Sequence, residues 1–350
     1  MDARGGSGRF PAPCPERSPW EEEPGGLASS PSRGRGPVQV RPLPPWTRAS
    51  NRRWRQSICQ PEPEPCALCL LAWTATSARI RILSLQHNST RSPARRLCAM
   101  GGPRVLLVTL WALGAAGAAA LRIGAFNVQS FGDNKVSDPA CSRIIAQILA
   151  GYDVALVQEV RDPDLSAVSA LMELINSVSK HEYSFVSSEP LGRDQYKEMY
   201  LFVYRKNSVS VVDTYQYPDP LHAAPHQAVA EIDALYDVYL DVIDKWGSDD
   251  MLFLGDFNAD CSYVRAQDWG AIRLRSSEVF RWLIPDSADT TVGNSDCAYD
   301  RIVACGARLR RSLKPHSALV HNFQEELGLD QTEALAVSDH FPVEVTLKSH

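Results

Sequence analysis

The sequence predicts an α/β fold with two β-sheets at its core and helices outside them. Along residues 121–350, strand-like segments alternate with helical ones, yet several strands follow one another without a helix between them. The stretch Val154-Ala155-Leu156-Val157 is continuously apolar, which is typical of a strand buried on both faces. Consecutive strands fit a two-sheet core with outer helices better than a doubly wound sheet.

The individual elements follow from local patterns. Residues 121–128 alternate between apolar and polar and predict a strand. Ser137-Asp138-Pro139 supplies an N-cap and a first-turn proline for a helix through Leu149, with Gly151 just past its end. Asp162-Pro163 is expected to open a second helix. We also predict strands at 183–186, 199–204, 209–215, 251–254, 299–304 and 343–347, and a long amphipathic helix at 228–246.

Composition divides the chain near Met100. Residues 1–99 carry 15 Arg, no Lys, 7 acidic residues and 14 of the 24 Pro, whereas residues 100–350 have a net charge of −13. The first part has too little apolar patterning to offset its chain entropy, so we interpret residues 1–99 as a disordered or non-native leader. Its one apolar patch, 59–73, leaves a short buried element as an alternative. Residues 121–350 then form the folded domain.

Residues 100–120 have the pattern of a secretory signal peptide. The segment from Met100 to Arg104 ends in a basic residue. The apolar run that begins at Val105 ends with three small residues, Ala118-Ala119-Ala120. The run of 16 residues is short for a membrane-spanning helix, so no span is expected. Its position suggests that Met100 is the working start. The protein would then be secreted and begin near Leu121, and otherwise it would be cytoplasmic.

Four cysteines lie in the expected domain: Cys141, Cys261, Cys297 and Cys305. A secreted context permits disulfides. We favour a Cys261–Cys297 bridge, because each lies a few residues from a candidate site residue and the bridge would tie two site loops together. Four reduced thiols remain the alternative.

Acidic and polar side chains gather at the ends of the predicted strands. Two runs carry most of the signal, Gly255-Asp256-Phe257-Asn258 and Ser338-Asp339-His340-Phe341-Pro342. An Asp/Asn pair can hold a metal-bound phosphate, and an Asp-His pair can move a proton beside it. Together they predict metal-assisted phosphodiester hydrolysis. The candidate residues are Asn127, Glu159, Glu198, Asp256, Asn258, Asp300, Asp339 and His340.

Residues 121–348 resemble the deoxyribonuclease I family, within the wider endonuclease/exonuclease/phosphatase superfamily. As a set, the motifs that carry the resemblance are highly specific. They are Ile123-Gly124-Ala125-Phe126-Asn127, Leu156-Val157-Gln158-Glu159-Val160-Arg161, Tyr196-Lys197-Glu198-Met199-Tyr200, Leu221-His222-Ala223-Ala224-Pro225, Gly255 to Tyr263, Cys297-Ala298-Tyr299-Asp300-Arg301-Ile302 and Ser338 to Pro342.

The resemblance implies a four-layer sandwich of two packed mixed β-sheets flanked by helices. It also implies a monomeric endonuclease that cuts double-stranded DNA to 5′-phosphate ends. Glu159, helped by Asn127, would bind the catalytic Mg²⁺, and His340, supported by Asp300, would act on the attacking water.

The remaining roles are implied in the same way. His222, paired with Glu198, would protonate the leaving 3′-oxygen. Asp256, Asn258 and Asp339 would hold the phosphate and metal. Arg161 and Tyr196 would lie in the DNA minor groove.

Metal dependence is expected for a second reason. A net charge of −13 disfavours phosphate binding unless bound cations invert the local field. Asp289 and Thr291 match ligands of a family Ca²⁺ site. Gly293 and Ser295, however, occupy positions where threonine side chains would contribute to that site.

Actin binding is not expected, because Phe185-Val186-Ser187 departs from the Tyr-Val-Val run of the parent enzyme.

The chain departs from the family pattern before His222. This histidine follows Pro218-Asp219-Pro220-Leu221 without an apolar run. The family has two strands between the positions of Pro220 and Leu221, so about 30 residues are absent. We therefore expect a sandwich that lacks two strands and a general acid that has lost its support. The alternatives to an active nuclease are a catalytically inactive splice form, and a phosphodiesterase or phosphatase of the same superfamily.

Overall fold

Two β-sheets pack face to face in the computed structural model, which describes residues 67–72, 80–87, 120–191, 197–217 and 228–348. Of the first two ranges it describes the backbone. Each sheet contains six strands among the described residues.

The first sheet carries strands from distant parts of the chain. In spatial order they are β7 (Val209–Tyr217), β2 (Ile80–His87), β1 (Ala67–Ala72), β8 (Met251–Asp256), β10 (Asp300–Cys305) and β9 (Arg281–Trp282). Strand β8 runs parallel to β1 and antiparallel to β10, so the sheet is mixed.

The second sheet is also mixed. In spatial order its strands are β11 (Leu319–Val320), β12 (Val343–Leu347), β3 (Leu121–Phe131), β4 (Val154–Val160), β6 (Met199–Arg205) and β5 (Tyr183–Ser187). Strands β3 and β4 are parallel, and their ladder shifts register beyond Asn127, next to the candidate site.

The described helices cover the outer faces, and none of them combines the length and apolar character that crossing a membrane requires. They are α1 (Asp133–Val136), α2 (Pro139–Ala150), α3 (Ser166–Val178), α4 (Ala228–Trp246), α5 (Arg273–Ser276), α6 (Ala307–Ser312), α7 (Phe323–Leu327) and α8 (Gln331–Val337), with a 3₁₀ turn at Trp269–Ala271.

Three buried apolar clusters define four layers. One cluster lies between the sheets and joins Leu156 and Phe202 to Leu254 and Ile302. A second packs the second sheet against α2, α3 and α8, and a third packs the first sheet against α4 and α5. The observed layers confirm the four-layer α/β sandwich.

Local capping chemistry explains where the helices begin. Helix α2 begins at Pro139 as predicted, because the Asp138 carboxylate accepts hydrogen bonds from the N–H groups of Ala140 and Cys141. Helix α3 begins at Ser166, later than the Asp162-Pro163 signal indicates. The Asp162 carboxylate instead reaches forward and accepts from the Val168 N–H at 2.7 Å.

The expected two-strand gap in the sandwich is wrong, because β1 and β2 lie between β7 and β8. Both strands lie in residues 1–99, which we interpreted as a leader, with a short buried element at 59–73 as the alternative. The apolar patch did contain a clue, since β1 overlaps its end. The rest of residues 1–99 and the predicted signal peptide through Ala119 lie outside the described residues.

Candidate active site

Strand ends from both sheets converge at one edge of the sandwich. Asn127 and Glu159 lie in β3 and β4, while Asp256 ends β8 and Asp300 begins β10. His340 lies in the short segment between α8 and β12. All five were predicted from sequence, and the structure brings them together.

His340 is held by a buried carboxylate. Its Nδ1 lies 2.7 Å from Asp300 Oδ2, and Asp300 is fully buried. Its Nε2 lies 3.9 Å from Asp256 Oδ2 and 4.0 Å from Asp339 Oδ1. Burial by itself lowers the pKa of His340, but the surrounding carboxylates outweigh burial and raise this pKa to about 10.

Asp256 is the second buried carboxylate of the site. Burial raises its pKa to about 6, although the neighbouring His340 opposes the rise. The backbone N–H of Asn258 donates to Asp256 Oδ1 at 2.9 Å. Asn258 has a positive φ of 48°, which turns the chain tightly enough for this contact.

Gln158 is a site residue that the sequence reasoning missed. It is fully buried, and its side-chain oxygen accepts a hydrogen bond from the Asp256 N–H at 2.9 Å. The signal was present, because a polar residue directly follows the apolar run of β4. The sequence pattern assigns a role to the adjacent Glu159 and none to Gln158.

Asn127 links the two carboxylates across the sheets. Its Nδ2 donates to Glu159 Oε1 at 3.1 Å and to Asp256 Oδ2 at 3.3 Å. Glu159 has a positive φ of 57° at a point where the β4–β6 ladder shifts register, and it accepts from the Ser130 N–H at 3.1 Å. This irregular backbone turns the Glu159 carboxylate toward the cluster.

Several oxygen atoms of the cluster suit a divalent cation. Asn127 Oδ1, Asp300 Oδ1 and Asp339 Oδ1 are buried and have no hydrogen-bond partner among the described residues. Such atoms are costly unless a water or ion satisfies them. Asp256, Asp300 and His340 also offer ligand atoms within 4.8 Å of one another. Hard oxygen ligands of this kind fit Mg²⁺ or Ca²⁺.

The structure describes only some of the residues expected to protonate the leaving 3′-oxygen and to contact DNA. Arg161 donates to Glu198 Oε1 through Nε at 3.2 Å and Nη2 at 2.8 Å, and its Nη2 lies 3.8 Å from Glu159 Oε2. Arg161 is therefore fixed beside both carboxylates. His222 and Tyr196 lie outside the described residues.

The loop that carries Asp289 and Thr291, the expected Ca²⁺ ligands, packs against His340. Thr291 Oγ1 donates to Asp289 Oδ1 at 2.7 Å, and Thr291 forms an isolated antiparallel bridge with His340. The Val292 N–H donates to the Asp339 carbonyl at 2.9 Å. The Cys261–Cys297 disulfide is present and joins the end of this loop to the segment after Asn258. Cys141 and Cys305 are buried and take no part in this disulfide.

Comparison with known proteins agrees with this arrangement. The sequence profile described as "Endonuclease/Exonuclease/phosphatase family" matches residues 124–340. The chain belongs to the endonuclease/exonuclease/phosphatase family. This family member is 75% identical to "Deoxyribonuclease-1-like 2" of Homo sapiens, over 72% of this chain and all of the relative. It is 51% identical to the Homo sapiens "Deoxyribonuclease-1", over 69% of this chain and 98% of the relative. The resemblance to the deoxyribonuclease I family is thereby confirmed.

The same comparison bears on the missing residues. "Deoxyribonuclease-1-like 2" of Mus musculus is 75% identical over an alignment of 278 residues that covers all of the relative but 72% of this chain, which is about 250 residues. The relative therefore contributes about 25 residues that this family member lacks, and the Homo sapiens relative, aligned over 298 residues, contributes about 45. A solved family protein from Leptotrichia buccalis shares 16% identity over 65% of this chain and all of that chain, at a TM-score of 0.44.

Proposed function

We propose that the protein is a divalent-metal-dependent endonuclease that hydrolyses phosphodiester bonds of double-stranded DNA and leaves 5′-phosphate ends. The observation that carries the proposal is the buried Asp300–His340 pair facing Asp256, beside the Asn127–Glu159 pair, at one edge of a family sandwich. The deoxyribonuclease names of the relatives support DNA as the substrate.

His340 is the proposed base for the attacking water. Asp300 fixes the ring through Nδ1, which leaves Nε2 facing the cluster. A base must be neutral before it accepts a proton, whereas the surrounding carboxylates favour the charged ring. A bound divalent cation would stabilise negative charge on the phosphate and offset the carboxylate field that raises the pKa of His340.

Glu159, Asn127 and Asp339 are the proposed ligands for Mg²⁺, and Asp256 and Asn258 the proposed phosphate contacts. The orphaned oxygens of Asn127 and Asp339 support this assignment. For Ca²⁺ we propose the Asp289–Thr291 loop, where the ion would brace the segment that contacts His340.

The leaving 3′-oxygen needs a proton donor, for which we propose His222 with Glu198. Arg161 already holds Glu198, and we propose that Arg161 and Tyr196 contact the DNA minor groove. We further propose a monomer that does not bind actin, and that is secreted when synthesis starts at Met100.

A substrate panel tests the proposal. Purified full-length protein with Mg²⁺ and Ca²⁺ should cleave double-stranded DNA and leave ends that a DNA ligase rejoins directly, as 5′-phosphates require. It should release no phosphate from phosphoinositides and no phosphocholine from sphingomyelin. Cleavage of either lipid in preference to DNA would contradict the proposal and indicate a phosphatase or phosphodiesterase of the same family. Folded protein without activity on any of the three would mark an inactive form.

A further inference from the structure

The strands contributed by the leader occupy the place of a missing segment. Strands β1 and β2 lie between β7 and β8, and relatives that align over their full length leave about 28% of this chain unaligned. That share equals about 100 residues, as many as precede Met100. Strands β1 and β2 also lie before the residues that the family profile matches, 124–340.

We propose that the antiparallel strand pair β1 (Ala67–Ala72) and β2 (Ile80–His87), here called the replacement hairpin, completes the first sheet in place of the absent strands. The chain that starts at Met1 contains this hairpin, whereas a product that starts at Met100 or at Leu121 does not. The leader would then be a structural part of the folded protein.

Strand direction supports the replacement. When a helix connects two strands that are neighbours in a sheet, the two strands run parallel. A strand that led into α4 and lay beside β8 would therefore run parallel to β8. Strand β1 fills that place and runs parallel to β8, pairing Cys69 with Met251 through Ala72 with Leu254. Strand β2 runs antiparallel to both β1 and β7. The hairpin thus restores an unbroken ladder with the directions that the sheet demands.

The ladder would be split without the hairpin. Neighbouring strands are about 4.8 Å apart, so two empty places would leave β7 and β8 about 14 Å apart, too far to pair. Every residue of β8 is buried, and buried backbone groups without partners are costly. Because β8 ends at Asp256, loss of its β1 neighbour would loosen the strand that delivers a site carboxylate.

The sequences of the two segments suit these positions. Residues 67–72 read Ala-Leu-Cys-Leu-Leu-Ala, a continuous apolar run typical of a strand covered on both faces. Residues 80–87 mix Ile and Leu with Arg, Ser, Gln and His, as expected nearer the edge of a sheet. Thus the more apolar of the two strands lies in the more central place.

The first test introduces proline into the full-length chain. Strand β1 is paired on both sides, so Leu70→Pro removes a ladder hydrogen bond wherever its N–H points. We expect the melting temperature to fall by about 5 °C or more, and amide exchange in residues 251–256 to quicken at least about tenfold. Val40→Pro, in the leader but outside the hairpin, should change neither. Unchanged stability and unchanged exchange in Leu70→Pro would overturn the proposal.

The second test detects the β2–β7 pairing by cross-linking, so it does not depend on whether the proline variant folds. Arg81 and Gln216 are direct antiparallel partners in the β2–β7 ladder, and cysteines at such positions come close enough to join. Non-reducing peptide mapping of Arg81→Cys/Gln216→Cys should find that bond, while Arg81→Cys/Ser210→Cys should not form its own. Equal cross-linking in both variants, or none in the first, would refute the hairpin. Neither test measures nuclease activity, so the outcome is independent of the proposed function.

Discussion

At the scale of single residues, His340 shows how burial and charge compete. Its ring is almost fully enclosed, which alone would favour the neutral form. Three carboxylates surround it, those of Asp256, Asp300 and Asp339. Their combined field wins, so in the absence of metal the ring is charged at neutral pH.

The raised pKa of His340 predicts a pH-dependent stability in the presence of a chelator. The folded pKa of about 10 lies above the ordinary 6.5, so between these values the folded state keeps a proton that the unfolded state releases. This contribution to stability is therefore complete below about pH 6.5 and is lost as the pH rises through 10. Melting curves of wild type in EDTA should show a melting temperature that falls over this range.

His340→Gln is the control for that slope, since glutamine does not titrate. The variant should show a clearly flatter dependence of melting temperature on pH between 7 and 10. An identical slope in both proteins would contradict the charged ring.

Glu159 provides a test of metal binding that does not depend on activity. A ligand bound at one hundred times its dissociation constant stabilises the folded state by about 2.7 kcal/mol. We expect saturating Mg²⁺ to raise the melting temperature of wild type and to have much less effect on Glu159→Gln. Glu173→Gln, at an exposed position of α3, should respond as wild type does. Equal responses in all three proteins would remove Glu159 from the metal site.

At the scale of elements, β8 is shaped by one glycine. Gly255 has a φ of 131°, and a Cβ atom there would lie 2.6 Å from the side-chain oxygen of buried Gln158. Any larger residue must therefore move Gln158, which holds the backbone of Asp256. The end of the strand and the position of the site carboxylate depend on the same residue.

Gly255→Ala should accordingly reduce both stability and activity. We expect a drop of several degrees in melting temperature and roughly tenfold slower DNA cleavage, which corresponds to about 1.4 kcal/mol. Gly270→Ala is the matched control, because a Cβ at Gly270 meets nothing within 4 Å. Equal behaviour of the two variants would show that the contact with Gln158 does not constrain the site.

The disulfide acts on another element, the 289–297 loop. This loop contacts Asp339 and His340 through backbone hydrogen bonds, and the bridge to Cys261 fixes its end. Cys261→Ser/Cys297→Ser should lower the free energy of unfolding by about 2–4 kcal/mol in urea titrations. Reductant should destabilise wild type by a similar amount and leave the double variant unchanged. A double variant as stable as oxidised wild type would contradict this role.

Elements were predictable where local chemistry decides them. Helix α2 begins at Pro139 because Asp138 caps it, and α4 spans the predicted residues because its apolar stripe is long and regular. The short strands β9 and β11 were missed because two residues carry no period. Helix α3 begins late because a carboxylate four residues upstream caps it from outside the usual position.

At the scale of the whole molecule, the sandwich and the site edge could be predicted, but the membership of one sheet could not. Motifs at strand ends place Asn127, Glu159, Asp256, Asp300 and His340 together, since each follows or precedes an apolar run. The pairing of β1 with β8 joins residues about 180 positions apart, and no local pattern encodes such a contact. Gln158 was missed for a related reason, because its role depends on the approach of the other sheet.

Plasmid nicking by the full-length chain tests the central claim, hydrolysis at the His340 site, most directly. Wild type with Mg²⁺ and Ca²⁺ should convert supercoiled plasmid to nicked circles, and EDTA should stop it. His340→Ala should slow nicking by at least about a hundredfold, the usual contribution of a general base. In the same assay, Glu198→Ala tests the proposed proton donor to the leaving 3′-oxygen. A folded His340→Ala variant that nicks as fast as wild type would contradict the account.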